Sequence, residues 1–205
     1  MSAHAEAAGH GHEHHGPPAA HKSSRLDATT LGMFLFIASE AMLFGSFFTV
    51  YFFDRVVNPL TGEWPPPPYE FPVFVAGVNT AILVTSSFTM HWAVQSIRRG
   101  NRAGLKAGLV LTIALGLAFL LTQMIEYAHV GFNTSDGAFA SVFFGLTGLH
   151  GAHVFVGLSL LTISAVRAFR GHFTPDHYHG VEIPGIYWHF VDVMWIVVYS
   201  AVYLL

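Results

Sequence analysis

Three ionisable side chains lie in the middle of long apolar stretches of this sequence. Glu40 is the only charged residue in the stretch 28–53, and His150 and His153 lie within the uncharged stretch 137–166. An ionisable group at the centre of a membrane helix costs at least about 2.5 kcal/mol, so such groups usually face protein or a water-filled path. These three residues are therefore the first candidates for a site that handles protons.

Depth along the helices predicts which of these groups meet. At about 1.5 Å per residue, Glu40 and His150 both lie near the middle of the membrane. His150 and His153 share a helix face because they are three residues apart. A carboxyl group hydrogen-bonded to an imidazole is the least costly way to keep both in an apolar interior. We therefore expect Glu40 to act in proton or lipid handling, with His150 and His153 as its polar partners.

Four other polar residues lie in or beside apolar stretches. Glu126 ends the uncharged stretch that follows Lys106, so we expect it in the outer third of the membrane as a further intramembrane polar partner. His91, His189 and Asp192 fall in the inner half. His189 and Asp192 are three residues apart on one helix, which predicts a salt bridge or a contact between helices. We expect these three residues to support assembly.

The paired histidines could instead hold a metal ion. A catalytic zinc needs a third protein ligand and an open position, and no Glu follows His150 as it does in the His-Glu-x-x-His motif. The chain contains no cysteine, which excludes thiolate nucleophiles, disulfides and Cys-ligated zinc or iron–sulfur clusters. We predict no metal ligands and no catalytic residues in this chain, and read the pair as hydrogen-bonding between helices.

Composition places the chain in a membrane. Of its 205 residues, 53% are hydrophobic and 10% are charged, where soluble domains carry roughly 25% charged residues. The formal net charge of −3 argues against nucleic acid as a partner. The apolar stretches predict an all-α membrane protein with five transmembrane helices, each long enough to cross the hydrocarbon core. Their expected bounds are about 28–53, 72–97, 105–127, 138–166 and 185–205.

The segments between these helices set the expected domain organisation and orientation. Residues 1–26 are rich in His, Gly and Pro, which predicts a disordered cytoplasmic tail before a single transmembrane domain, 27–205. No cleavable signal peptide is recognisable. Eight of the nine Lys and Arg residues fall in the tail and in the second and fourth loops. This bias predicts a cytoplasmic N-terminus and an outside C-terminus.

Six short motifs occur together in an order and spacing typical of one family. They are Leu35-Phe-Ile-Ala-Ser-Glu-Ala-Met-Leu-Phe44, Gln123-Met-Ile-Glu-Tyr127, Ser135-Asp-Gly137, Thr147-Gly-Leu-His-Gly-Ala-His-Val154, His172-Phe-Thr174 and Tyr187-Trp-His-Phe-Val-Asp-Val-Met-Trp195. With these motifs, residues 28–205 resemble subunit III of haem-copper terminal oxidases in its five-helix bacterial form. The long form of that family has seven helices, so we do not expect its lipid cleft here in the same form.

The resemblance implies a non-catalytic accessory subunit in a bacterial plasma membrane. It would bind oxidase subunit I directly, with subunit II and a small subunit IV as further partners. Haem and copper would belong to partner subunits, and this chain would contact phospholipid. The carboxyl that matches Glu40 is the reactive carboxyl of the family. The subunit would stabilise subunit I and support proton uptake in a proton-pumping oxidase that passes electrons from cytochrome c to oxygen.

Several alternatives remain open from the sequence. Within the family these are a quinol oxidase subunit III, which the His-rich tail is similar to, and an accessory protein of nitric oxide reductase; the four prolines at 65–68 favour the cytochrome c branch. A stand-alone membrane metalloenzyme, such as a di-iron oxygenase, would need many His residues on one membrane face. A proton-coupled transporter centred on Glu40 would be expected to contain an inverted repeat, and none is detectable.

Overall fold

The computed structural model describes residues 28–57, 73–175 and 177–205, and this part of the chain consists of helices joined by turns, with one isolated β-bridge between Thr174 and His177. Five helices in it are long and apolar enough to cross a membrane, which confirms the predicted all-α membrane fold. The tail 1–26 and the proline-rich stretch 65–68 lie outside the described residues, and the orientation of the termini stays a prediction. The helices are α1 (Ala28–Val57), α2 (Val73–Arg98), α3 (Arg102–His129), α4 (Ala138–Phe169) and α5 (His179–Tyr199), and a π-helical turn (Ser200–Leu204) follows α5.

Helix α5 begins at His179, six residues before the expected start at 185. Pro184, which suggested the boundary, lies inside the helix and cannot donate a hydrogen bond to the carbonyl of Gly180. The Ser164 hydroxyl of α4 donates to that carbonyl at 2.8 Å. Because a neighbouring helix satisfies the freed carbonyl, the helix tolerates its proline. The α4–α5 connection is shorter than the sequence suggested.

Small residues bring α2 and α3 into close contact. A Cβ atom on Gly108 would lie 2.7 Å from the Cβ of Ala93, and one on Gly104 would lie 2.6 Å from the Ser96 hydroxyl oxygen. Such close approach between helices requires residues without side chains, as is common in membrane bundles. In the connection between them, Gly100 has a positive φ of 77°, a conformation that glycine adopts without strain.

The centre of the bundle is built around Trp188 of α5. This side chain is fully buried. A Cβ on Gly116 of α3 would lie 2.6 Å from the indole, and one on Gly157 of α4 would lie 2.8 Å from it. The indole Nε1 donates to the Ser86 hydroxyl of α2 at 2.9 Å. One side chain therefore ties four helices together.

Helix α1 lies at the edge of the bundle. It packs against α4 and α5. In its most apolar stretch only 6% of the residues are buried inside the chain, compared with 50% in the last helix. Most of the α1 surface is therefore not covered by the other described residues. Glu40 lies on α1, at the edge of the bundle.

Gly157→Ala is expected to destabilise the chain by about 1–3 kcal/mol, because the added methyl group overpacks a buried contact with Trp188. Thermal unfolding in detergent, followed by circular dichroism, measures the change. Gly151→Ala on the same helix is the matched control, since nothing lies within 4 Å of its added Cβ and alanine favours the helix. An equal loss of stability in both variants would contradict the close contact between Gly157 and Trp188.

Candidate intramembrane proton site

The carboxyl group of Glu40 lies against the imidazole of His153. Glu40 Oε2 and His153 Nε2 are 2.9 Å apart and join α1 to α4. The Glu40 side chain is 19% exposed and that of His153 is 10% exposed. The contact is therefore mostly inside the bundle, but Glu40 can still be reached from the edge where α1 lies.

The second ring nitrogen of His153 determines how many protons this pair holds. His153 Nδ1 lies 2.8 Å from the carbonyl oxygen of Leu149, and because a carbonyl only accepts, Nδ1 carries a hydrogen. A neutral imidazole then has an acceptor at Nε2. The 2.9 Å contact therefore holds one proton, either on Glu40 as a carboxylic acid or on His153 as an imidazolium. The pair has no net charge in either form, which lowers the cost of burying it.

Aromatic rings surround the imidazole of His153. The ring of Phe44 lies 5.1 Å from it between centroids, and that of Phe190 lies 6.5 Å away. The Tyr187 hydroxyl donates to the backbone carbonyl of His153 at 3.4 Å. These contacts fix the imidazole in orientation and leave Glu40 as its polar neighbour on α1.

His150 does not share this contact, although the sequence suggested both histidines as partners of Glu40. Its ring is fully buried, with the ring of Trp195 4.7 Å away and that of Phe119 5.8 Å away between centroids. Neither ring nitrogen has a hydrogen-bond partner in the described part of the chain. The packing of Phe119 and Trp195 holds His150 in the bundle interior, away from α1.

Glu126 is also separate from the Glu40 contact. It is buried near the end of α3, and its Oε1 accepts a hydrogen bond of 3.4 Å from the Tyr203 hydroxyl in the π-helical turn. Its Oε2 has no hydrogen-bond partner among the described residues. Glu126 therefore contacts the C-terminal turn and not the histidines of α4.

His189 and Asp192 lie at the contact between α5 and α2 and are joined through a third residue. The Ser87 hydroxyl lies 2.9 Å from His189 Nδ1 and donates a short hydrogen bond to Asp192 Oδ2. His91 lines a cavity together with His189. The sequence predicted a contact between helices here but did not single out Ser87. Its position four residues before His91 on the same helix face was the signal available.

No group of three or more His, Asp or Glu side chains within residues 28–57, 73–175 and 177–205 is arranged to hold a metal ion. The ionisable side chains of these helices form separate small contacts. They include the Glu40–His153 pair between α1 and α4, the Ser87–His189–Asp192 group between α2 and α5, and Glu126 beside Tyr203. Arg98 and Glu182 form a further ion pair between α2 and α5. The chemistry that such contacts support is the binding and release of protons.

Comparison with known proteins places the chain in a family. A family model described as Cytochrome c oxidase subunit III matches residues 14–205. The cytochrome c oxidase subunit 3 of Synechocystis sp. is 42% identical over 200 residues, which cover 96% of this chain and 81% of the relative. The subunit 3 proteins of Gallus gallus and Rattus norvegicus are 42% and 39% identical over 180 residues, covering 84% of this chain and 67% of each relative. The chain therefore belongs to the cytochrome c oxidase subunit III family.

Proposed function

We propose that this chain is the non-catalytic subunit III of a proton-pumping haem-copper oxidase that transfers electrons from cytochrome c to oxygen. Family membership supports a place in such a complex. The observation that carries the more specific proposal is the 2.9 Å contact between Glu40 and His153, whose second ring nitrogen lies 2.8 Å from a backbone carbonyl. A partly buried acid–base pair at the edge of the bundle suits a subunit that supports proton uptake by its neighbour.

The position of α1 supports this role for Glu40. The described residues of the other helices leave most of the apolar surface of α1 uncovered, and in this proposal a partner subunit or phospholipid covers it. A proton held by Glu40 would then lie one side chain away from that neighbour. In this proposal Glu40 and His153 exchange a proton without creating net charge in the membrane, and the partner contains the redox chemistry.

The proposed partners are oxidase subunit I in direct contact, subunit II and a small subunit IV. Haem and copper belong to those partners, and phospholipid covers the remaining apolar surface. The proposed location is the bacterial plasma membrane, supported by five helices with membrane-spanning length and by similarity along most of the chain to a cyanobacterial protein. Cytochrome c as the electron donor is supported by the names of the relatives.

Copurification tests the proposal. An affinity tag on this chain is expected to recover, from native membranes in mild detergent, a haem-containing subunit I and a subunit II with a dinuclear copper site. The same complex is expected to oxidise reduced cytochrome c. Recovery of a quinol-oxidising complex without the copper site would show that the electron donor is quinol and not cytochrome c. Recovery of the chain without any haem protein would overturn the proposal.

A further inference from the structure

The Ser87 hydroxyl lies between an imidazole and a carboxyl group in the contact of α2 with α5. Ser87 Oγ is 2.9 Å from His189 Nδ1 and donates to Asp192 Oδ2. A hydroxyl that donates its only hydrogen can accept one in return. His189 Nδ1–H therefore donates to Ser87, and Nε2 is the acceptor of the neutral ring. The three side chains form a continuous chain of hydrogen bonds from His189 Nε2 to the Asp192 carboxyl.

Asp192, at the inner end of this series of hydrogen bonds, has an oxygen atom that accepts no hydrogen bond from the described residues. The residue is 3% exposed, and its Oδ1 has no hydrogen-bond partner within the described residues. An unpartnered carboxylate oxygen in an apolar interior is costly. Protonation of the carboxyl group removes that cost, so this environment is suited to a group that takes up a proton.

A cavity of about 140 Å³ lies beside His189, at the other end of this series of hydrogen bonds. His189 lines it, together with His91 and Arg98 from α2 and Glu182 from α5. No titratable side chain of α1, α3 or α4 lines it in the part of the chain that the structure describes. The volume is sufficient for several water molecules, since one water molecule needs roughly 10–15 Å³ of cavity volume. The polar lining supplies the hydrogen-bond partners that such water requires.

The helix ends place one side of this cavity at the surface of the bundle. Arg98 is the last residue of α2, its side chain is 47% exposed, and it pairs with Glu182 at 2.5 Å. His179 Nδ1 lies 3.4 Å from the other carboxylate oxygen of Glu182. The Arg98 guanidinium also lies over the Tyr178 ring, 5.3 Å from its centroid. Of these groups Arg98 and Glu182 line the cavity, whereas Asp192 is buried in the bundle.

We propose that Asp192 is a proton-binding site that fills from this cavity through His189 and Ser87. Nε2 of His189 takes the excess proton of a hydronium ion in the cavity, which is left as water. The Nδ1 proton of His189 passes to Ser87 Oγ, and the Ser87 hydroxyl proton passes to Asp192. Asp192 becomes a neutral carboxylic acid, and His189 stays neutral with its hydrogen moved to Nε2. The reverse transfers release the proton. This site is independent of Glu40 and of the proposed oxidase role.

Infrared spectroscopy of the full-length chain in lipid nanodiscs tests the site. The difference between the wild-type chain and Asp192→Asn is expected to contain a carboxylic acid C=O band that weakens as the bulk pH rises and shifts in D₂O. Ser87→Ala is expected to retain this band but to slow its hydrogen–deuterium exchange about tenfold, because the hydrogen-bond chain is interrupted. Thr85→Ala is the matched control, since the Thr85 hydroxyl bonds, within the described part of the chain, only to the Ala81 carbonyl of its own helix.

Two results would overturn the proposal. One is the absence of any pH-dependent carboxylic acid band in the difference between the wild-type chain and a helical Asp192→Asn variant. The other is exchange in Ser87→Ala that is as fast as in the wild type and in Thr85→Ala. If Asp192→Asn fails to fold, a helical Asp192→Ser variant assigns the band by the same subtraction, and the exchange of that band is then compared in the wild type, Ser87→Ala and Thr85→Ala.

Discussion

Replacing Glu40 with alanine is expected to shorten the working lifetime of the assembled oxidase or lower its sustained turnover, while its haem content stays normal. The substitution removes the acid that shares a proton with His153 Nε2. It leaves a polar nitrogen without its partner on α1 and removes a hydrogen bond between α1 and α4. One such bond contributes about 0.5–1.5 kcal/mol, so the inactivation rate is expected to rise about two- to tenfold.

The measurement is oxygen consumption with reduced cytochrome c, followed until activity is lost, together with the haem spectrum. Ser39→Ala is the matched control, because the neighbouring Ser39 hydroxyl bonds to the Phe36 carbonyl of its own helix. Glu40→Gln separates the two possible roles of Glu40. The amide can still donate to His153 but has no proton to exchange.

If Glu40→Gln loses activity like Glu40→Ala, the exchangeable proton is the important property. If Glu40→Gln behaves like the wild type and only Glu40→Ala inactivates faster, the role of Glu40 is to hold α1 against α4. An unchanged rate and lifetime in Glu40→Ala would remove the functional interpretation of this residue.

The sequence predicted the number of helices because helix length and apolarity are properties of local stretches of chain. It did not predict the start of α5, because a proline usually marks a helix boundary. The compensation comes from Ser164, a residue on another helix. A contact between helices of this kind has no local signature in the sequence.

The sequence predicted how deep the candidate residues lie in the membrane. It did not predict in which direction around the helix axis each side chain points. Counting residues places Glu40, His150 and His153 at similar depth, and His150 and His153 differ by about 60° around the helix axis. Packing of Trp195 and Phe119 on His150 decides that only His153 faces α1. Ser87 was missed for a related reason, because most hydroxyls in these helices bond to their own backbone, as those of Thr80 and Thr85 do.

Trp188→Ala is expected to produce the largest loss of stability. The side chain is fully buried and lies against Gly116 and Gly157, and its Nε1 donates to Ser86. Truncation leaves a cavity among four helices and removes a buried hydrogen bond. The apolar surroundings of a membrane reduce the contribution of transfer from water, so the lost packing dominates, and the expected cost is about 3 kcal/mol.

Thermal unfolding of the full-length chain in detergent measures this cost, and the fraction of chain recovered with its partner subunits measures its effect on assembly. Trp92→Ala is the matched control, because Trp92 is 47% exposed on the outer surface of α2. Its removal changes contacts with lipid or a partner but opens no cavity inside the bundle. Equal destabilisation of the isolated chain by both substitutions would contradict the central position of Trp188, since only one indole fills the space that the glycines leave.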